Sequence, residues 1–292
     1  MKNFRYRVEA ALLYFLFFAF GIMPVAVASA IGGFLGRTIG PKLGASKKAR
    51  RNIVLALPEK SEAEQDQVLR GMWDNLGRLI AEYPHLYGIA TARTTIVGGD
   101  ILERVIEEHG QGIFIGGHLA NFEINCATAL LKAGVLVDIT YRAPNNPWSD
   151  KLLQKARTLN GAIPAHAKSR EGGMSLFRAL KDGHSVGILI DQKYNEGLAV
   201  PFFGHEAMTN PAFVALAQKI DCPVVPIRAV RKDDARFEMH IGEPIELVDD
   251  YGKALGFDAV IAKANVVLEG WIREYPEQWL WLHRRWDSKK FS

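Results

Sequence analysis

Residues 113–123 read IFIGGHLANFE, and this stretch sets both the fold and the candidate chemistry. Ile113, Phe114 and Ile115 form a short apolar run of strand type. Gly116-Gly117 ends it, His118 follows, and Ile124, Ala127, Leu130 and Leu131 then repeat at helical spacing. A strand, a glycine turn and a helix in that order begin an α/β unit. Open α/β sheets put their ligand sites beyond the carboxyl ends of the strands. A histidine and a carboxylate, Glu123, are thus delivered to such an end, a pairing suited to general-base catalysis on a hydroxyl. Residues five apart on a helix differ by about 140° around its axis, so the two do not share a face. The expectation is His118 in the turn and Glu123 inside a helix over 121–133, its carboxylate reaching back to one imidazole nitrogen. A capping histidine beside an exposed glutamate fits the bare spacing as well.

Outward from this stretch, apolar or β-branched runs at 135–141, 186–190, 224–230 and 237–241 alternate with helix-like stretches at 148–160, 174–182 and 211–220. Alternation of this kind predicts an α/β fold, a largely parallel mixed sheet flanked by helices. Upstream, Ser61 and Glu64 make a capping box for a helix over 61–83. Residues 38–60 read as a basic connection lying on the surface. A last helix over 257–275 precedes a tryptophan-rich tail, WLWLHRRW (279–286).

The 292 residues, 48% hydrophobic, fit one large domain or one domain plus an anchor. A net charge of +4 favours anionic partners without choosing among them, and nothing resembles a nucleic-acid module, so no nucleic-acid partner is expected. Cys126 and Cys222 form no C-x-x-C, which argues against a zinc ribbon or a disulfide framework. Cys126 falls on an apolar helix face and reads as core. The remaining histidines lack metal-ligand spacing, so no metal is expected.

Ala10–Gly36 is an uncharged 27-residue run, long enough as one helix to span a ~30 Å hydrocarbon core. Residues 1–37 therefore read as an N-terminal membrane anchor helix and 38–292 as the body. Arg37, Lys42, Lys47, Lys48, Arg50 and Arg51 outnumber the basic residues before the run, which places the body on the cytoplasmic side. Pro24 and the glycines also permit a helix lying in the interface.

Further polar groups collect at predicted strand ends. YRAPNNPWSD (141–150) supplies Arg142, able to clamp an anion, with Asn145 and Asn146 in a turn that Asx hydrogen bonds alone would also explain. Asp191 and Gln192 follow the strand at 186–190, on the same side of the sheet as His118 if the two strands are parallel. Lys168 and Arg170 precede a helix and suit an anionic substrate. Thr209 reads as a helix N-cap.

In order and spacing, RRNIVLALPE (50–59), MWDNLGRLIAEY (72–83), GGHLANFE (116–123), YRAPNNPWSD (141–150), GILIDQ (187–192), VPFFG (200–204) and WLHRRW (281–286) resemble the late lipid A acyltransferases of Gram-negative bacteria. These are a branch of the lysophospholipid acyltransferase superfamily, and the resemblance spans nearly the whole chain. It implies a glycerol-3-phosphate-acyltransferase-like fold at the inner membrane. The implied reaction moves an acyl chain from acyl carrier protein to a hydroxyl of a lipid A precursor at an anionic phospholipid surface, with no cofactor. The resemblance makes His118 the base and Glu123 its orienting acid. Asn121, Arg142, Asn145, Asn146, Arg170, Asp191 and Gln192 then shape the substrate sites. Two departures stand out: Leu119-Ala120 replaces a Phe-Gly pair, and Lys193 replaces an acid after Asp191-Gln192. Competing readings are an acyl-CoA-dependent lysophospholipid or glycolipid acyltransferase and a non-catalytic membrane lipid-binding protein. The absence of a G-x-S-x-G elbow argues against an α/β hydrolase.

Overall fold

The computed structural model describes residues 2–167 and 169–287. Helix α1 (Lys2–Gly21) and helix α2 (Val25–Ile39) open the chain, followed by α3 (Ser46–Ala56), α4 (Glu62–Glu82) and α5 (Leu86–Ala92). Strand β1 (Thr94–Val97) leads to α6 (Gly99–His109), β2 (Ile113–Gly116), α7 (Ile124–Ala133) and β3 (Val137–Tyr141). Then come α8 (Pro147–Arg157), β4 (Ala165–Ala167), α9 (Arg170–Lys181) and β5 (Ser185–Leu189). A hairpin of β6 (Leu198–Phe202) and β7 (His205–Thr209) precedes α10 (Ala212–Ile220), β8 (Val224–Arg231), β9 (Phe237–Ile241) and α11 (Phe257–Glu274).

Seven strands form one sheet in the order β1-β9-β8-β2-β5-β3-β4. All neighbours are parallel except β8 and β9. The fold is the expected α/β arrangement with a mostly parallel sheet. Strand β2 is buried on both faces: Ile113 and Ile115 join the core under α10 and α11, and Phe114 joins the core under α6 and α7. The short β1, β4, β6 and β7 escape a reading by apolar runs, because they are edge or hairpin strands with polar faces.

Two expectations are corrected. The apolar run at the N-terminus is not one helix. Pro24 lacks an N–H, so the hydrogen-bond ladder of α1 stops at residues 22–23 and α2 begins anew. Among the described residues no helix is long and apolar enough to cross a membrane. Helix α1 spends its first turns on Lys2, Arg5, Arg7 and Glu9. Helix α2, at 15 residues, is about 22 Å long. Moreover, α2 is docked on α4 backbone to backbone. A Cβ at Gly32 would lie 2.4 Å from the Gly77 carbonyl oxygen, and one at Gly36 would lie 2.1 Å from that of Trp73. Ser29 and Arg37 add hydrogen bonds to Glu82 (2.7 Å) and Asp74 (2.6 Å). The second correction is α3, inside the segment expected to be a connection. Its Ser46, Ala49, Ile53 and Ala56 fall on one buried face, a helical period masked by the surrounding basic residues.

Candidate active site

The site lies at the carboxyl ends of β2 and β5. Gly116 pairs with Leu189 in parallel register, so His118 and Asp191 each sit two residues beyond a matched pair. A side chain at Gly117 would press its Cβ to 3.2 Å from Asp191 Oδ2, which explains a glycine beside the histidine. Asp191 is 2% exposed. Its Oδ1 accepts from His118 Nδ1 at 2.8 Å. Its Oδ2 accepts from the His118 backbone N–H at 2.7 Å and from the Trp279 indole at 2.8 Å. Burial opposes ionisation of Asp191. The charge and hydrogen bonds of His118, together with Trp279, outweigh it and hold the carboxyl below the usual carboxylate range. An ionised Asp191 fixes the proton of the imidazole at Nδ1 and leaves a lone pair at Nε2.

Glu123 makes its hydrogen bonds to Tyr83 and Arg157 and not to His118. Its helix begins only at Ile124, and residues 117–123 are a turn in which Ala120 takes φ +49°. This turn sends Glu123 elsewhere. Its Oε1 accepts from the Tyr83 hydroxyl at 2.5 Å and from Arg157 Nη2 at 2.6 Å, and its Oε2 from Arg157 Nε at 2.7 Å. Burial and the Glu123 charge raise the Tyr83 hydroxyl well above its ordinary pKa. Burial works against the Arg157 charge, and Glu123 and Tyr83 overcome it, so the guanidinium stays protonated. Burial and Glu123 push the Cys126 thiol up to about 12, which suits a core residue and not a nucleophile.

The left-handed Ala120 gives a physical meaning to the Leu119-Ala120 departure, since glycine adopts that conformation without the Cβ penalty. Here the tail holds the turn. Ala120 N–H donates to the Gln278 carbonyl at 2.8 Å, and Leu280 N–H donates to that of His118 at 3.0 Å. The tryptophans of the tail are core: Trp279, Trp281 and Trp286 are buried. Arg285 donates to the Thr209 hydroxyl at 2.7 Å, so Thr209 anchors the tail and is not a helix cap. Lys193 pairs with Asp287, so the second departure ties the β5 loop to the tail.

A cavity of about 290 Å³ opens at His118. Its polar lining includes His118, Gln192, His283, Arg142, Arg157 and Glu123. Phe114, Ala129, Val137, Ile139, Ile188 and Ile227 line its apolar part between α7 and the sheet.

Of the predicted site residues, His118, Glu123, Arg142 and Gln192 meet in this cavity, and Asp191 lies behind His118. Four are elsewhere. Asn121 is fully buried and donates to Glu82 at 2.9 Å, in a network closed by Arg231. Asn146 caps α8, accepting from Trp148 N–H, and donates to the Tyr6 carbonyl of α1 at 2.8 Å. Asn145 is exposed outside the lining. Arg170 is the first residue of α9, and Lys168 lies outside the described residues. Sequence reasoning missed Arg157, Tyr83 and His283. The latter two sit inside quoted blocks, but nothing local marks any of them as a partner of the turn.

The sequence pattern of the bacterial lipid A biosynthesis acyltransferases matches residues 2–288. The lipid A biosynthesis palmitoleoyltransferase of Escherichia coli is 24% identical over 277 residues, covering 91% of this chain and 87% of that protein. The lipid A biosynthesis lauroyltransferase of the same organism is 26% identical over 252 residues, 84% of this chain and 79% of its own. A lipid A biosynthesis acyltransferase of Haemophilus influenzae is 25% identical over 251 residues, covering 82% and 77%. With the match running from the first helix to the tail, this chain belongs to the bacterial lipid A biosynthesis acyltransferase family.

Proposed function

We propose that the protein transfers a fatty acyl chain from a thioester on acyl carrier protein to a hydroxyl of a lipid A precursor, a phosphorylated disaccharide carrying 3-hydroxyacyl chains. The observation that carries this reading is His118, held at Nδ1 by Asp191, lining a cavity whose walls carry both polar groups and an apolar set. The acceptor hydroxyl gives its proton to Nε2 as its oxygen attacks the thioester carbonyl. A general base in this position contributes about 10²–10⁴-fold. Asp191 holds the imidazole and stabilises the imidazolium. Glu123 acts at one remove, fixing Arg157, which with Arg142 forms the cationic rim suited to an anionic substrate. The apolar part holds the acyl chain.

The test is transfer of label from lauroyl-acyl carrier protein to that precursor by the purified protein, with lauroyl-coenzyme A and a glycerol-based lysophospholipid as competing donor and acceptor. Labelled lysophospholipid with no labelled disaccharide would refute the reading. Gly187 gives a check on chain placement. A Cβ there would meet Val137, Cys126 and Ile139 at 3.2–3.4 Å on the wall of the apolar part. Gly187→Ala is expected to cut turnover of the longest acyl chain accepted about tenfold more than that of a chain four carbons shorter, by competition between donors. Equal losses would move the chain elsewhere.

The N-terminal helices bring this site to a lipid surface at the cytoplasmic face of the inner membrane. Phe4, Val8, Leu12, Phe15 and Phe18 form an exposed apolar stripe on α1, Ile22 extends it just past the helix end, and Val27, Ile31, Phe34 and Ile39 continue it on α2. Lys42, Lys47, Lys48 and Arg51 are exposed just beyond and suit anionic headgroups. The broken pair lies in the interface instead of spanning it. Phe15→Glu with Phe18→Glu is expected to shift most of the protein from the pellet to the supernatant when sedimented with phosphatidylglycerol vesicles. Retention in the pellet at the wild-type level would rule out this face.

A further inference from the structure

The carboxamide nitrogen of Gln192 is 3.1 Å from His118 Nε2 and 3.1 Å from His283 Nε2. The two rings are 5.1 Å apart, centroid to centroid, and both line the cavity. Base and acid account for His118 and Asp191, but for neither Gln192 nor His283. Donor and acceptor counting assigns their roles. His118 Nδ1–H donates to the ionised Asp191, so His118 Nε2 accepts. A primary amide carries two N–H donors. One goes to His118 Nε2, and the other goes to His283 Nε2, which also accepts. The opposite orientation of the amide would set its oxygen against the lone pair of His118.

We propose that Gln192, positioned by His283, caps the base at rest and becomes the oxyanion donor once the acceptor hydroxyl takes its place. The proposal rests on the acyl-transfer reading above. When the hydroxyl oxygen occupies the lone pair of His118, the N–H that held it is released within about 3 Å of the reacting atoms. The hydroxyl oxygen then forms its bond to the thioester carbonyl carbon, its proton passes to His118 Nε2, and the carbonyl π pair moves onto oxygen. That oxyanion accepts from the displaced Gln192 N–H, while the second N–H stays on His283. On collapse the C–S bond breaks and the thiolate takes the proton back from His118. Gln192 touches the reacting atoms, and His283 acts through Gln192. Loss of one oxyanion donor elsewhere costs about 10²–10³-fold in turnover.

The test uses the full chain with lauroyl-acyl carrier protein and the disaccharide precursor, and thermal unfolding to establish that each variant folds. Gln192→Ala is expected to lower kcat about 10²-fold with the KM of the acceptor within about threefold of wild type. Gln192→Glu is expected to lose as much and also to move the acid limb of kcat/KM to higher pH, because a carboxylate beside Nε2 favours the imidazolium. For His283, Phe should lower kcat about tenfold, and Gln, which keeps an acceptor, should restore it to within about threefold. In nitrogen-15 NMR without substrate, both Gln192 amide protons should be protected in the wild type and one should lose protection in His283→Phe. An active wild type with Gln192→Ala within threefold of its kcat, or Gln192→Glu with an unmoved pH limb, would overturn the proposal alone. A wild type inactive on this donor and acceptor would overturn the acyl-transfer reading and the oxyanion role with it. Unprotected Gln192 amide protons in the wild type would overturn the resting cap independently of any turnover.

Discussion

His118→Ala, Asp191→Asn and the double variant are each expected to lower kcat by about 10³–10⁴-fold, with little change in KM. The near-equality is the informative part. Residues that act as one unit lose their function together, so the second removal costs little more than the first. Asparagine keeps the size of Asp191 but not its charge. It then no longer selects the Nδ1–H tautomer or stabilises the imidazolium. Steady-state kinetics with lauroyl-acyl carrier protein measure this directly. An Asp191→Asn enzyme within tenfold of wild type would remove Asp191 from the unit. The carboxylate also leaves a mark on stability. Its folded pKa is depressed, so its ionisation contributes stability that is full above pH ~4, the ordinary carboxyl pKa. That contribution falls away as the pH drops towards the folded value. Asp191→Asn is expected to lack this component, so its acid-unfolding curve should be shallower below pH ~4.

Glu123→Gln is expected to cost stability first and activity second. The carboxylate is 5% exposed and takes three hydrogen bonds from Arg157 and Tyr83, with the Arg157 side chain 18% exposed. Removing one partner leaves a mostly buried guanidinium without its anion, which costs about 3–5 kcal/mol. Arg157→Gln should cost a similar amount. The double variant should lose much less than the sum of the two single losses, because no charge is then stranded. Denaturant unfolding of the four proteins gives the coupling. A Glu123→Gln loss below about 1 kcal/mol, or additivity in the double variant, would contradict a buried pair. In kinetics Glu123→Gln should not move the acid limb of kcat/KM, since Glu123 is not bonded to His118. This separates it from Asp191.

The pair His118/Glu123 is legible as a pattern, but the hydrogen-bond partners of its two members are not, for a physical reason. Spacing along a helix is informative only if the residues are helical, and 118–123 are a turn with a left-handed Ala120. Asp191 was legible as a carboxylate at a parallel strand end. Its bond to His118 depends on the β2–β5 register, which is set by packing across the sheet. The resemblance gives Asn121 and Asn146 substrate roles, but a polar side chain in a loop carries no mark of where its hydrogen bonds go. The one buries itself on Glu82, and the other caps α8. The N-terminal run misled in the same way. Its composition is that of a membrane span, but Pro24 breaks it and Gly32, Gly36 and Gly77 let α2 lie directly on α4.

By itself the sequence determined the alternation of strands and helices, the placement of His118 after β2 and the family of the chain. These follow from local periodicity, a glycine turn and the order of short motifs. Only the tertiary structure decided which carboxylate serves the imidazole, which arginine serves Glu123, and that His283 from the far end of the chain comes to face His118. Each of these partners is brought together by strand register and core packing across 34 to 165 residues of chain, and no window of sequence contains that distance.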